Sequence, residues 1–290
     1  MDVVDAHCHV ISPDLTAYPR APLGGKQSDW ATTRPVTAEQ LAQRMDEVGI
    51  GRAVLVQATT AYGYDNSYVL DSARASGGRF VAVGTFNPLE AGAAARLAAA
   101  VGTGGAQQAG GLAGVRLFTS GSTLPTQGEW FAAPETFEFW QAAADLDVTV
   151  CMQMRLGSAT KQLESVLERY PSVRVLLDHC GYPDIAASPA DAGREVASLG
   201  RHPGLYLKLT HRNLERLSDA GDRAADFLDP VLEAFGAARI AWGSNCPAAA
   251  QPLPDLLGLA RDVLGALPEH QIADILAGTA RRLYPGLDNQ

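Results

Sequence analysis

The chain has 290 residues, of which 47% are hydrophobic and 19% are charged, and its formal net charge is −9 at pH 7. This length and apolar content suffice for a large core, and barrels of alternating strands and helices commonly reach this size as one domain. The negative net charge argues against non-specific binding to nucleic acid or to anionic lipid. We therefore expect a single domain over residues 1–290, with neither nucleic acid nor a membrane as partner.

Signals for export, membrane insertion and disulfide bonding are absent from the sequence. No apolar run approaches the roughly 18 residues that span a bilayer, and MDVVDAHCHV lacks the basic start and cleavage site of a signal peptide. Because Cys8, Cys151, Cys180 and Cys246 lie far apart and form no CxxC pair, neither a thiolate zinc site nor a disulfide framework is indicated. We expect reduced cysteines and a cytoplasmic location.

Short β-branched runs alternate with helical patterns along the chain. In chain order the predicted strands are VVDAHCHV, RAVLVQA, RFVAVGTF, LAGVRLF, VTVCMQM, VRVLLDHCG, LYLKLT and RIAWGSN. The intervening helical spacing is clear in TAEQLAQRMDEVG, where Thr37 and Gln40 predict a capping box and Gly49 ends the helix. Eight such repeats predict parallel strands with right-handed crossovers. The expected fold is α/β, a closed (β/α)8 TIM barrel.

Two segments interrupt this alternation. The loop from Ile11 to Val36 is rich in Pro and Gly and follows the first strand, on the face where barrel active sites lie. We expect it to form a lid or a wall for the substrate. The composition of AAAVGTGGAQQAGG indicates weak order, and we assign it no function.

Three histidines fall at predicted strand ends. Residues two apart in a strand point the same way, so DAHCH aims His7 and His9 together, and His179 ends the sixth strand in LLDHCG. Strand ends of a barrel converge, so these imidazoles can meet Asn245 of WGSNCP. Two imidazoles at a strand end can bind one metal ion; two histidines paired by chance are the alternative for the first motif.

The motifs DAHCH, LDHCG, WGSNCP and GTARRLYPG resemble the amidohydrolase superfamily, in the amidohydrolase-2 branch that includes 2-pyrone-4,6-dicarboxylate lactonase and related lactone hydrolases. This resemblance, which runs from Val3 to Tyr284, implies an amidohydrolase-like hydrolase acting on a carboxylated lactone or similar cyclic ester, in aromatic catabolism. It implies either one divalent ion, Zn or Mn, on His7, His9 and His179, or metal-free catalysis. Gln153 stands where many metal-dependent relatives have His or Lys, so we expect no bridged two-metal site.

The resemblance matches Asn245 to the eighth-strand aspartate that accepts a proton from the attacking water. An amide cannot act as a general base, and loss of general-base help typically costs about 100 to 10,000-fold in rate. We therefore expect slow or absent turnover, with Asn245 either native or a replacement for Asp. His211 and the histidine cluster are the alternative proton acceptors, whereas strand alternation predicts that Asp178 points away from the site.

Arg116 in GVRLF is the strongest candidate for holding a substrate anion, because a charge inside a barrel is costly unless it meets a partner. A structural ion pair is the alternative role. Arg155 shares a strand face with Gln153 and is a candidate second anion contact. The other expected substrate-binding residues are Gln57, Tyr64, Gln153, Lys208, His211 and Trp30.

Two other functions stay open. One is a metal-dependent, non-oxidative decarboxylase of an aromatic or unsaturated acid from the same branch. The other is a non-catalytic small-molecule binder, which would bind tightly without turnover even after Asn245→Asp. For any of these we expect a small-molecule partner and a monomer or small homo-oligomer.

Overall fold

A computed structural model describes residues 1–102, 111–120, 124 and 127–288. Within this part of the chain, parallel strands pair in the order β1 to β8. The ring closes because Cys8 bridges in parallel to Cys246 beyond β8, and the Asn245 amide donates to the His7 carbonyl over 2.7 Å. The predicted (β/α)8 barrel is confirmed. The strands are Val4–Cys8, Arg52–Val56, Phe80–Thr85, Leu112–Phe118, Thr149–Gln153, Arg174–Leu177, Leu205–Thr210 and Ile240–Gly243.

Helices follow the strands around the outside of the barrel. The predicted capping box is present at the start of α2, where Thr37 and Gln40 exchange side-chain and backbone hydrogen bonds, and Gly49 ends the helix in the left-handed region. Most of AAAVGTGGAQQAGG lies outside the described residues. Helices α1 to α13 are Asp29–Thr33, Ala38–Val48, Thr59–Tyr62, Ser67–Ala75, Ala93–Val101, Phe137–Asp145, Thr160–Arg169, Pro189–Ala197, His211–Ala220, Ala224–Phe235, Leu253–Leu264, Glu269–Ala273 and Thr279–Leu283.

Apolar side chains form one layer between strands and helices and a second inside the barrel. The C-terminal segment belongs to the inner layer: the Tyr284 hydroxyl lies 3.1 Å from Cys151 Sγ, and Thr149 Oγ1 donates to the Leu283 carbonyl over 2.8 Å. Because Thr149 begins β5, this segment fills the end of the barrel where the strands start. The opposite end, where the strands finish, is left for a binding site.

The described helices include none that is long and apolar enough to cross a membrane. All four cysteines are free and buried. The cysteines therefore contribute to the core as small apolar groups.

Candidate active site

A cavity of about 230 Å³ opens at the carboxyl ends of the strands. Its wall includes two of the three predicted histidines, His9 and His179, together with Asn245. The volume lies below the ~300–1,000 Å³ usual for drug-sized ligands, so the cavity suits a molecule with a single ring. We call it the central cavity; its charged wall residues are Arg116, Arg155 and Arg212.

The three histidines come together as one cluster. The ring centroid of His7 lies 4.9 Å from that of His9 and 5.4 Å from that of His179. His9 and His179 face the central cavity, whereas His7 is fully buried behind them. A bulge in β1 between Asp5 and Cys8 interrupts the strand alternation, so that both Ala6 and His7 point into the barrel.

Burial keeps these imidazoles neutral. Desolvation lowers the pKa of His9 to about 3, with a further contribution from the Arg116 guanidinium. The pKa values of His7 and His179 also lie well below the ordinary histidine range, chiefly because both rings are buried. Neutral imidazoles can each donate one hydrogen bond and accept one, so the cluster can both polarise a carbonyl and orient water.

Hydrogen bonding sets the tautomer of His9. Its Nδ1 lies 2.7 Å from the carbonyl oxygen of Val56, which can only accept, so Nδ1 carries the proton and Nε2 keeps its lone pair. The indole of Trp30 stacks on this ring at 5.3 Å, with 26° between the planes. Trp30 lies on α1 within the loop from Ile11 to Val36, which therefore supplies a wall of the central cavity.

The structure shows that the predicted direction of the Asp178 side chain is wrong. This side chain was expected to point away from the site, but Leu176 faces the barrel interior and Asp178, two residues later, does the same. His179 reaches the cavity because His179 and Cys180 adopt left-handed φ angles of 57° and 53°, which turn the chain at the strand end. Strand alternation stops at Asp178, and the prediction assumed that it continued.

Asp178 is fully buried and holds two cations. Its carboxylate lies 3.0 Å from Arg116 Nε and 2.8 Å from Lys208 Nζ. Although burial alone would raise the pKa of Asp178, these cations hold it below the ordinary aspartate value. Arg116 also donates to Gln153 Oε1, and Gln153 in turn donates to the Ser120 carbonyl over 2.8 Å. Arg116 therefore forms the structural ion pair that was the alternative role, and it also lines the cavity; its role toward a substrate anion stays a prediction.

Four expected substrate-binding residues lie outside the cavity wall. Lys208 is buried beneath the histidines, and Gln57 is turned outward with Ala53 and Leu55, where it donates to the Asp65 carbonyl. The remaining two are Tyr64, whose side chain is 40% exposed, and His211, which begins α9. Their placement follows from strand parity and from turns that the sequence pattern does not define.

Arg212 and Tyr182 are among the wall residues that the sequence analysis did not identify. Arg212 is the second residue of α9, so the alternation of β7, which ends at Thr210, does not extend to it and no local pattern marks it as a wall residue. Tyr182 lies 4.8 Å from the His179 ring and carries the Arg155 guanidinium 4.8 Å above its own ring. Its position depends on the left-handed turn after β6, which no local pattern announces.

Asn245 is buried at the end of β8, with its φ at 60° in the left-handed region. Its backbone carbonyl accepts from the Ala249 amide over 2.9 Å, so backbone contacts at both ends fix the residue. Residues held in this sparsely populated region concentrate at functional sites. The side chain faces the central cavity, where an amide can orient water but cannot remove its proton.

The expected metal set of His7, His9 and His179 does not fit a resident ion. In the described part of the chain, no group of three or more His, Cys, Asp and Glu residues is arranged to hold a metal. The Lys208 ammonium is 3.0 Å from His7 Nδ1, and the Arg116 guanidinium is close enough to depress the pKa of His9. Asp178 can neutralise only one of these two cations, so the remaining positive charge beside the imidazoles opposes a divalent ion.

Similarity to known proteins agrees with this architecture. Over 85 residues the chain is 33% identical to the L-fucono-1,5-lactonase of Burkholderia ambifaria, a match covering 27% of this chain and 28% of that enzyme. A Pseudomonas putida structure assigned as 2-pyrone-4,6-dicarboxylic acid hydrolase superposes with a TM-score of 0.77 at 19% identity, covering 100% of this chain and 99% of that one.

A zinc-bound amidohydrolase of Burkholderia multivorans superposes with a TM-score of 0.71 at 23% identity, covering 98% of this chain and 99% of that one. At these identities the two structures share the fold with this protein. The family evidence is separate, because a sequence model of amidohydrolases matches residues 4–286. The chain therefore belongs to the amidohydrolase family.

Proposed function

We propose that the protein binds small carboxylated lactones and hydrolyses them slowly, through a site whose general-base position is Asn245. One observation carries this proposal: the wall of the central cavity, over the described residues, holds three arginines and no acidic side chain, in a chain whose net charge is −9. A local positive field in an acidic protein favours an anionic ligand. The small volume limits that ligand to about one ring.

Each group in the cavity has a role in this reaction. Arg116, held rigidly by Asp178, binds the substrate carboxylate at depth, and Arg155 and Arg212 attract it at the rim. The neutral histidine cluster donates a hydrogen bond to the lactone carbonyl, whose oxygen becomes negative as water attacks. Asn245 orients that water, and the proton passes to a weak acceptor such as His9 Nε2.

The experiment is a paired assay of the protein and Asn245→Asp on a panel of carboxylated lactones and pyrones. Restoring a carboxylate should raise kcat about 100 to 10,000-fold because it supplies the missing general base. Gln40→Glu is the matched control, since it makes the same amide-to-carboxylate change on the surface and a glutamate preserves the capping box. This control should leave kcat unchanged.

The readout separates the alternatives. Lactone hydrolysis at neutral pH releases one proton and incorporates oxygen from labelled water, whereas decarboxylation releases carbon dioxide and takes up a proton. Tight binding of the panel without turnover by either form would establish a binder and overturn the hydrolase proposal. Equal turnover by both forms would show that the base lies elsewhere in the cavity.

A further inference from the structure

Lys208 is a fully buried charged group that the proposed hydrolysis does not use. It lies in the middle of β7 with no exposed surface. Its ammonium is 2.8 Å from Asp178 Oδ1, 3.0 Å from His7 Nδ1 and 3.5 Å from Cys151 Sγ. Lysine is almost never fully buried unless it is paired, so this position serves some purpose beyond packing.

The hydrogen bond between Lys208 and His7 determines which nitrogen of the His7 imidazole carries the proton. An ammonium has three donors and no acceptor, so His7 Nδ1 must accept the hydrogen bond with its lone pair. A neutral imidazole that accepts at Nδ1 carries its proton on Nε2. Among the described residues, His7 Nε2 has no hydrogen-bond partner although it is buried.

In the neighbouring ring of His9, the donor and acceptor nitrogens are exchanged relative to His7. His9 donates from Nδ1 to the Val56 carbonyl and keeps a lone pair on Nε2. The cluster therefore combines one imidazole held as a donor with one held as an acceptor, with ring centroids 4.9 Å apart. An unpaired buried donor is costly, so His7 Nε2–H favours an acceptor atom that enters the cluster past His9 and His179, and the oxygen of a substrate carbonyl is such a group.

We propose that Lys208 is a positioning residue that locks His7 in the Nε2–H tautomer and thereby sets the histidine cluster to donate a hydrogen bond rather than to bind a metal ion. The ammonium occupies one ring nitrogen, and the proton occupies the other. Neither nitrogen of His7 then has a lone pair for a divalent ion. This inference extends the proposed function, but its test needs no substrate.

Removing the ammonium should reverse the tautomer. In Lys208→Met, His7 Nδ1 loses its donor, and the carboxylate oxygen Asp178 Oδ1 lies 3.7 Å from it. The carboxylate then favours Nδ1–H and leaves the lone pair on Nε2. A carboxylate behind a histidine in this way is the arrangement that supports metal-binding imidazoles, and its loss changes metal affinity by about 10–100-fold.

The test is ¹⁵N NMR of histidine-labelled protein at pH 7, with the His7 resonances assigned by their loss in His7→Gln. We expect Nε2–H in the parent and Nδ1–H in Lys208→Met. Zinc titration should show at least ~10-fold tighter binding to Lys208→Met than to the parent. Lys161→Met is the matched control, because Lys161 is exposed on α7 and should change neither readout.

A parent protein in which His7 carries Nδ1–H would overturn the inference, whether or not Lys208→Met folds. A folded Lys208→Met that keeps Nε2–H would overturn it as well. Absence of turnover by Asn245→Asp, together with the expected tautomers, would reject the proposed hydrolysis and leave the role of Lys208 standing. The two proposals are therefore tested separately.

Discussion

Arg212 stands at the exposed rim of the central cavity, at the start of α9. We predict that Arg212→Gln weakens binding of a carboxylated ligand by about tenfold, because a charge-assisted hydrogen bond is replaced by a neutral one. The same change should leave binding of the corresponding methyl ester unaltered. Isothermal titration with both ligands measures the difference.

Arg74→Gln is the control for this prediction, since Arg74 forms an exposed ion pair with Asp71 on α4, away from the cavity. It should leave both affinities unchanged. Equal weakening of acid and ester by Arg212→Gln would show that the guanidinium acts through shape rather than through charge.

At the same scale, strand parity locates two cavity residues from the sequence. Gln153 ends β5 and Arg155 follows two residues later, and both side chains line the central cavity. Parity failed at the end of β6, because a left-handed turn there places Asp178 and His179 on the same side. Such a turn at residues other than glycine leaves no signature in the local sequence.

Among the elements, β1 and β8 pack closely against each other at Gly243. A Cβ built on Gly243 would lie 2.5 Å from His7 Cβ and 3.0 Å from the His7 amide nitrogen. The barrel can therefore close beside the histidine cluster only if this residue has no side chain. The close approach explains a glycine inside a strand, where it is otherwise unfavourable.

We predict that Gly243→Ala lowers the free energy of unfolding by about 1–3 kcal/mol, because the added methyl group overpacks a rigid strand pair. It should also displace His7 and reduce kcat in the Asn245→Asp background. Denaturant unfolding and steady-state kinetics measure the two effects.

Gly258→Ala is the matched control for the strand substitution. Gly258 lies inside α11, and outside its own helix backbone and chain neighbours no atom lies within 4 Å of an added Cβ, so alanine should stabilise the protein by roughly 0.5–1 kcal/mol through helix propensity. A Gly243→Ala variant as stable as the parent would show that β1 and β8 move apart without cost.

The long loop after β1 is the second element that shapes the site. Its position after the first strand predicts a wall on the catalytic face, and Ser28 and Trp30 do line the central cavity. The stacking of Trp30 on His9 could not be predicted, because it requires the loop to fold back over the strand from which it leaves. Composition indicates that a loop is present but does not define its path.

For the whole molecule, buried histidines make stability depend on pH. The folded-state pKa of His9 is about 3, below its ordinary value of 6.5, and those of His7 and His179 are also depressed, in each case chiefly by burial. Their contribution to stability is complete above pH 6.5 and is lost as the pH falls toward 3. Each group contributes a slope of about 1.4 kcal/mol per pH unit in that window.

Asp5 acts in the opposite direction. Burial raises its folded-state pKa to about 6 from an ordinary 3.8, so its contribution is present below pH 3.8 and is lost as the pH rises through 6. It offsets only one of the three histidines, and the free energy of unfolding should still fall between pH 6.5 and 4.5. Urea unfolding across this range measures the net slope.

His9→Asn should reduce that slope by about one proton, or 1.4 kcal/mol per pH unit, because one buried imidazole is removed. His270→Asn is the control, since His270 is exposed on α12, and its slope should match that of the parent. A His9→Asn slope equal to that of the parent would mean that His9 titrates normally in the folded protein.

The sequence by itself determined the barrel, because eight β-branched runs separated by helical spacing leave few other ways to bury the apolar residues. It also determined that His7, His9, His179 and Asn245 stand at strand ends of one face, since those ends converge in any such barrel. Both conclusions depend on periodicity and strand order, which are local properties.

Tertiary structure alone decided which charges meet. The placement of Lys208 between His7 and Asp178 joins residues about 200 and 30 positions apart in the chain. Whether the His7 imidazole accepts or donates a hydrogen bond at Nδ1 depends on its distance of about 3 Å from the Lys208 ammonium. Hydrogen bonds weaken steeply when the donor and acceptor move apart by a fraction of an ångström. No spacing in the sequence encodes contacts across the barrel interior, and the proton position on His7 follows from those contacts.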